Sequence, residues 1–250
     1  MFPIRDDNPT VLTPIVTVGL IAANLATWVL VQGLGAAEPL ASSVCTLGLI
    51  PGELLQRAPA GTELPLGEGL TCVLTDTPHW HTLVTSMFLH GGWLHLLGNM
   101  WFLWVFGNNV EDSMGHLRFL GFYLATGLVA AMAQVAVHPA SAVPMVGASG
   151  AISGVMGAYI ILYPRVRVHM FTWLVIYPLR FRMPAWLMLG YWFFLQVVGG
   201  LPMLEEESGG VAFWAHAGGF VAGMMLVFLF RNAALINRRT RLVSPYGWAG

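Results

Sequence analysis

The chain has 250 residues, 56% of them apolar and only 9% charged, with a net charge of −1 from twelve acidic residues against eleven arginines and no lysine. A soluble domain runs about 25% charged, so a globule of this composition could not cover its surface with polar groups. The weak charge excludes a nucleic-acid footprint, and the hydrophobicity excludes collagen, coiled coil and intrinsic disorder. The apolar residues come in long uncharged blocks, and a bilayer-crossing helix needs about 20 of them. The expected class is therefore an all-α membrane protein. No internal repeat of the kind that marks many transporters is visible.

Six blocks are expected to cross the bilayer: 11–34, 93–108, 117–137, 149–163, 185–204 and 209–230. The first is followed by Gly35-Ala36-Ala37, which resembles a signal cleavage site. Its apolar run exceeds that of a signal peptide and only Arg5 precedes it, so it reads as an uncleaved anchor. A further apolar run, 171–179, is too short to span, and Val166-Arg167-Val168-His169 alternates like an interfacial strand. With the N-terminus in the cytoplasm, ten arginines fall on that side: Arg5, Arg118, Arg165, Arg167, Arg180, Arg182, Arg231, Arg238, Arg239 and Arg241. Only Arg57 falls outside, which is the bias expected of this orientation. The domain reading is a short cytoplasmic N-terminus, 1–10, a six-helix domain, 11–231, with an external loop of about 35–90, and a cytoplasmic tail, 232–250. Localisation is expected to be a cell membrane, multi-pass, with both termini cytoplasmic. The acidic run Glu205-Glu206-Glu207 reads as a solvated external loop. Cys45 and Cys72 share the external loop, where a disulfide could form and persist; the alternative is two free thiols.

The informative residues are polar ones inside spans, because each is costly in hydrocarbon unless it has a partner. Four stand out: His95 and Asn99 in span 2, Ser149 at the start of span 4 and His216 in span 6. Ser149 lies 16 residues before Arg165, His216 lies 15 before Arg231, and His95 lies 16 before Glu111. At about 1.5 Å per residue these sit roughly 22–24 Å above the cytoplasmic face, with Asn99 one turn lower. The four therefore share one layer below the outer surface of the hydrocarbon. Span 4 offers only about 22 Å of helix before Pro164. The preceding loop, with Pro139 and Pro144, must dip into the membrane, which is allowed only where protein or water surrounds it. Ser149 would then open a short helix at the floor of a water-accessible cavity, where the unpaired N–H groups suit an oxyanion.

A serine hydroxyl needs a base to become a nucleophile, and His216 lies at the right depth. Gly150, Gly154 and Gly157 on span 4 and Gly218, Gly219 and Gly223 on span 6 would let the two helix backbones approach. His95 and Asn99, at i and i+4, could donate to the oxygen of a tetrahedral intermediate. No Asp or Glu occurs between Ser113 and Leu204, so the chemistry would be a Ser–His dyad. The competing readings are a packing serine or N-cap, a proton-relay or pore histidine, and an asparagine that hydrogen-bonds between helices. A metal site built on His79, His81, His90 and His95 is not expected, because no His-Glu-x-x-His occurs and His90 and His95 do not share a helix face. Nor is this a nucleophile elbow, since Ala151 stands where that motif needs glycine.

Three motifs carry a resemblance. Gly147-Ala148-Ser149-Gly150, Ala215-His216-Ala217-Gly218-Gly219 and His90-Gly91-Gly92-Trp93-Leu94-His95-Leu96-Leu97-Gly98-Asn99-Met100, in this spacing, resemble the rhomboid intramembrane serine proteases across about residues 10–232. The resemblance implies a six-transmembrane-helix bundle with a short fourth helix starting inside the membrane. It implies an endopeptidase that cleaves membrane-spanning helices of single-pass or multi-pass proteins through an acyl-enzyme, with no cofactor and no metal. Ser149 would be the nucleophile and His216 the base, with His95, Asn99 and the Ser149 backbone as the oxyanion hole. The active site would open to the extracytoplasmic side, loop 200–213 would cap it, and span 5 around Trp192–Phe194 would border lateral access for substrate. Ser153 stands where some family members carry an aromatic beneath the histidine, which leaves open what orients His216. The alternative is a non-catalytic relative that binds transmembrane helices.

Overall fold

A computed structural model describes residues 2–67, 69–174, 177–204 and 211–243. In chain order they form β1 (Phe2–Asp6), α1 (Ile15–Leu30), α2 (Ala37–Leu47), α3 (Pro51–Leu54), β2 (Glu63–Gly67), β3 (Leu70–Val73), α4 (Thr82–Thr85), α5 (Trp93–Met114), α6 (His116–Val137), α7 (Ser149–Leu162), β4 (Arg167–Leu174), β5 (Tyr177–Pro184), α8 (Ala185–Gly200), α9 (Phe213–Phe230) and α10 (Ala233–Val243). The protein is mostly helical, and the expectation of an all-α chain is corrected by two small sheets, ordered β1-β4-β5 and β2-β3. By length and hydropathy α6 and α9 can each cross a bilayer, while α1, α7 and α8 are apolar but shorter. Large apolar side chains stud the outer faces of α1, α5, α6, α8 and α9; Leu94, Leu117 and Leu229 are among the most exposed. Water would not tolerate so much contiguous apolar surface, and lipid would.

The bundle is built around α7, in which every residue from Ala151 to Tyr159 is buried. Glycine permits this enclosure. A methyl added at Gly157 would collide with the Phe220 carbonyl of α9, and methyls at Gly219 and Gly223 would collide with the Gly150 and Gly154 carbonyls of α7. Gly150 and Gly154 themselves face Ala130 and Thr126 of α6. These glycines let α7 sit backbone-to-backbone against one neighbour and closely against the other.

The run 166–184 forms more than an interfacial strand. β4 pairs antiparallel with β5 on one side and with β1 on the other. Val168 and Met170 point into the core while Arg167 and His169 alternate outward. Pro3 lies on β1, and Pro178 and Pro184 lie on β5, all on edge strands, where a missing N–H breaks no inner ladder. The sheet stands beside α5: the Trp101 indole N–H donates to the Pro3 carbonyl at 2.6 Å, and Asn109 Nδ2 donates to Asp6 Oδ2 at 2.9 Å. Those contacts are eight residues apart on α5, a climb of about 12 Å.

The segment expected as an external loop, about 35–90, is a folded layer rather than open loop. A Cys45–Cys72 disulfide joins α2 to β3 with a Cα–Cα distance of 5.5 Å. This layer holds the approach to α7: Leu49 and Met145 exchange both backbone hydrogen bonds (3.0 and 2.7 Å), Gly52 N–H donates to the Ser141 carbonyl (2.7 Å), and Gly147 N–H donates to the Ser86 carbonyl (2.9 Å). The irregular segment before Ser149 is thereby tied at Ser141, Met145 and Gly147, which satisfies backbone groups that protein encloses.

Candidate active site

Ser149 is the first residue of α7, and no side chain caps that helix start. The first N–H groups of a helix lack intrahelical acceptors, and here they open on a cavity of about 610 Å³ lined by Ser149, His216, His95, Asn99, Gly147 and Trp192 among others. His216 lies one turn into α9, and its Nε2 is 2.7 Å from Ser149 Oγ. The close α7–α9 backbone contact made by Gly157, Gly219 and Gly223 sets that separation.

The other two polar residues singled out in span 2 line the same cavity. Gly91 N–H donates to His95 Nδ1 at 3.3 Å, so a neutral His95 carries its proton on Nε2. That nitrogen lies over Gly147: a methyl there would sit 2.8 Å from His95 Nε2 and 3.4 Å from Ser149 Oγ. Gly147 also has φ +129°, a backbone region that disfavours any side chain. Asn99 is nearly buried, and its Nδ2 has no partner among the described residues. A buried amide N–H₂ without an acceptor, facing a cavity, is a donor in want of an anion or a polar oxygen.

Two contacts around His216 were not anticipated from sequence. Gln196 of α8 places Oε1 2.8 Å from His216 Nδ1, and the Trp192 ring lies 5.9 Å from the imidazole at an interplanar angle of 36°. Ser153, standing where an aromatic occurs in some family members, turns away and donates to the Ser149 carbonyl at 2.6 Å. The signal for Gln196 was in the sequence: it is the one carboxamide in an otherwise apolar helix, and such a group needs a partner in hydrocarbon.

The remaining candidates separate from this cluster. His79 and His81 pair with each other at 5.5 Å between ring centroids, and the His90 ring packs edge-on against His95 at 5.1 Å. Among the described residues no three His, Cys, Asp or Glu side chains come close enough to share a metal ion. Glu205, Glu206, Glu207 and the middle of the loop expected to cap the site lie outside the described residues.

The Rhomboid domain family matches residues 77–233. Over 79 residues the chain is 43% identical to Rhomboid protease GluP of Bacillus subtilis, covering 32% of this chain and 15% of that protein. Over 85 residues it is 39% identical to Rhomboid-like protein 11, chloroplastic, of Arabidopsis thaliana, covering 34% and 30%. Over 173 residues it is 25% identical to Rhomboid protein 1, mitochondrial, of Saccharomyces cerevisiae, covering 67% and 46%. The chain spans less than half the length of each of these relatives. With more than half of its residues matched in sequence, the chain belongs to the rhomboid family of membrane proteins.

Proposed function

We propose that the protein is an intramembrane serine endopeptidase acting on transmembrane helices of other proteins, single-pass or multi-pass. The observation that carries the reading is the 2.7 Å contact of His216 Nε2 with Ser149 Oγ at the uncapped start of a helix, on a cavity of about 610 Å³. His216 Nε2 takes the Ser149 proton as Oγ adds to the scissile carbonyl carbon. The resulting oxyanion receives hydrogen bonds from His95 Nε2–H, Asn99 Nδ2–H and the Ser149 backbone N–H. Collapse breaks the C–N bond, the Nε2 proton goes to the leaving amine, and water then hydrolyses the acyl ester by the same route. The reaction needs neither cofactor nor metal.

The proposed setting is a six-span bundle in a cell membrane, with α1, α5, α6, α7, α8 and α9 as the spans. Residues 1–10 and 232–250 lie on the cytoplasmic side and the cavity opens to the other, the orientation favoured by ten arginines against one. A fluorophosphonate probe applied in detergent and in liposomes tests the chemistry without knowledge of the substrate. A covalent adduct on Ser149, absent in Ser149→Ala and lost in His216→Ala, is expected. No adduct in either medium from folded protein would turn the reading to a non-catalytic, helix-binding relative.

A further inference from the structure

We infer that Gln196 is the positioning residue of this site, holding His216 in the one tautomer that can accept the Ser149 proton. The inference rests on the protease reading above and extends it from a dyad to a Ser149–His216–Gln196 relay of contacts. Three hydrogen bonds carry it, and their donor and acceptor types leave one solution. Gln196 faces the Trp192 carbonyl with one end of its amide, at 3.3 Å. A carbonyl only accepts, so that end is the N–H₂ group, and the end 2.8 Å from His216 Nδ1 is the carbonyl Oε1. Oε1 also only accepts, so Nδ1 carries the proton. A neutral imidazole holds a single proton, so Nε2, 2.7 Å from Ser149 Oγ, presents a lone pair to the hydroxyl. Turned the other way, the amide would place its donors on Nδ1, force the proton onto Nε2 and remove the base.

The helix that supplies the amide also supplies the face of the ring. Trp192 and Gln196 are i and i+4 on α8, so one helical stripe covers the imidazole and holds its Nδ1 edge. Ser153 cannot substitute, because its hydroxyl is committed to the Ser149 carbonyl. Among the described residues, the elements packed around His216 bring neutral or weakly basic partners: Gln134 from α6, Ser149 from α7, Trp192 and Gln196 from α8, and His95 from α5. Helices α6 to α9 carry no carboxylate. During acylation the proton passes from Oγ to Nε2, the Oγ–C bond forms, and the Nδ1–H···Oε1 bond persists in the imidazolium, where it becomes charge-assisted.

Three variants and one spectrum test this. Gln196→Leu keeps the bulk and removes the acceptor; kcat is expected to fall roughly ten- to hundredfold, the range of a hydrogen bond to a charged group, with KM within about twofold. Gln196→Glu restores an acceptor and adds charge, so it is expected to recover most of that loss and to move the acid limb of the pH–rate profile to higher pH. Ser149→Ala sets the background. In parallel, ¹⁵N spectra of histidine-labelled protein, with His216 identified by His216→Ala, are expected to show the Nδ1–H tautomer in the parent and its displacement in Gln196→Leu. A packing role would change rates without moving the acid limb or the tautomer. The inference is overturned by a Gln196→Leu kcat within twofold of the parent, or by His216 resonances that do not respond. If the parent neither cleaves nor labels, the protease reading falls, while the spectra still decide whether Gln196 holds the ring.

Discussion

Glu111 in the last turn of α5 accepts both the backbone N–H and the hydroxyl of Thr17, at 2.8 and 2.7 Å. Its other oxygen takes the Val16 N–H at 2.9 Å and lies 2.6 Å from His116 Nδ1. The carboxylate is fully buried and closes the first turn of α1, where the helix dipole favours negative charge. Each buried donor left unpaired costs about 1–3 kcal/mol, so Glu111→Ala is expected to lower the unfolding free energy by about 3 kcal/mol or more. Glu111→Gln, which keeps one acceptor, should fall between. Reversible unfolding in mixed micelles reads the difference, and equal stability of Ala and parent would remove the clamp from the account.

The oxyanion assignment makes Asn99 a donor used only after the serine has attacked. Asn99→Ala is therefore expected to lower kcat by about 10²–10³-fold while leaving the melting temperature within a degree or two. The rate of fluorophosphonate capture at Ser149 should fall alongside. A variant that cleaves like the parent would take Asn99 out of the site.

Glycines on the α7–α9 seam should respond by position. Gly223→Ala puts a methyl against the Gly154 carbonyl and should destabilise by about 1–3 kcal/mol, as overpacking does; it should also weaken cleavage by widening the Ser149–His216 gap. Gly190→Ala on α8, where an added methyl meets nothing within 4 Å, should leave both unchanged. Equal effects at the two positions would contradict the seam.

Asp6 links the N-terminal strand to pH. Burial pushes its carboxyl up to about 6, against the pull of the Tyr159 hydroxyl and Arg239. Because the folded state favours the protonated form, the stabilisation is fully present below about pH 4 and is lost as pH rises through 6. Melting temperatures across that window should therefore decline more steeply for the parent than for Asp6→Asn. Parallel curves would show that Asp6 does not govern this dependence.

The Cys45–Cys72 bond closes a separation of 27 residues, worth about 3 kcal/mol in the chain-entropy account. Reduction, or Cys45→Ser, should abolish a mobility shift on non-reducing gels and lower the melting temperature. Because this layer pairs with the segment leading into Ser149, activity should fall as well. Full activity after reduction would separate the layer from the site.

The depth arithmetic on spans 2, 4 and 6 placed four residues in one layer, and Ser149, His216, His95 and Asn99 do line one cavity. Rise along a helix fixes height but not azimuth, so it could not say that Gln196 would meet Nδ1 while Ser153 turned away. In the depth arithmetic Glu111 serves only as the charge marking the end of span 2, and its neighbour Asp112 plays no part. Both are in fact buried acceptors for backbone N–H groups 94 and 100 residues earlier, Thr17 for Glu111 and Leu12 for Asp112. The β1-β4-β5 sheet was half legible: the alternation near Val168 was visible, but its partner strand at the N-terminus is too short and too distant in sequence to announce itself. Long-range pairing is what a one-chain periodicity cannot reveal.

That sheet sets an order of assembly. β1 is made well before its neighbour β4, which follows the helix that carries Ser149, and the Asp7–His169 contact spans 162 residues. Until β4 has been made, β1 has no strand to pair with, and its backbone N–H and C=O groups must be satisfied by water instead. Arg239 of α10, which reaches the Pro9 carbonyl at 3.1 Å, arrives later still. The β1 residues are thus made early and fixed late, and their docking ties them to α5 only once β4 is in place.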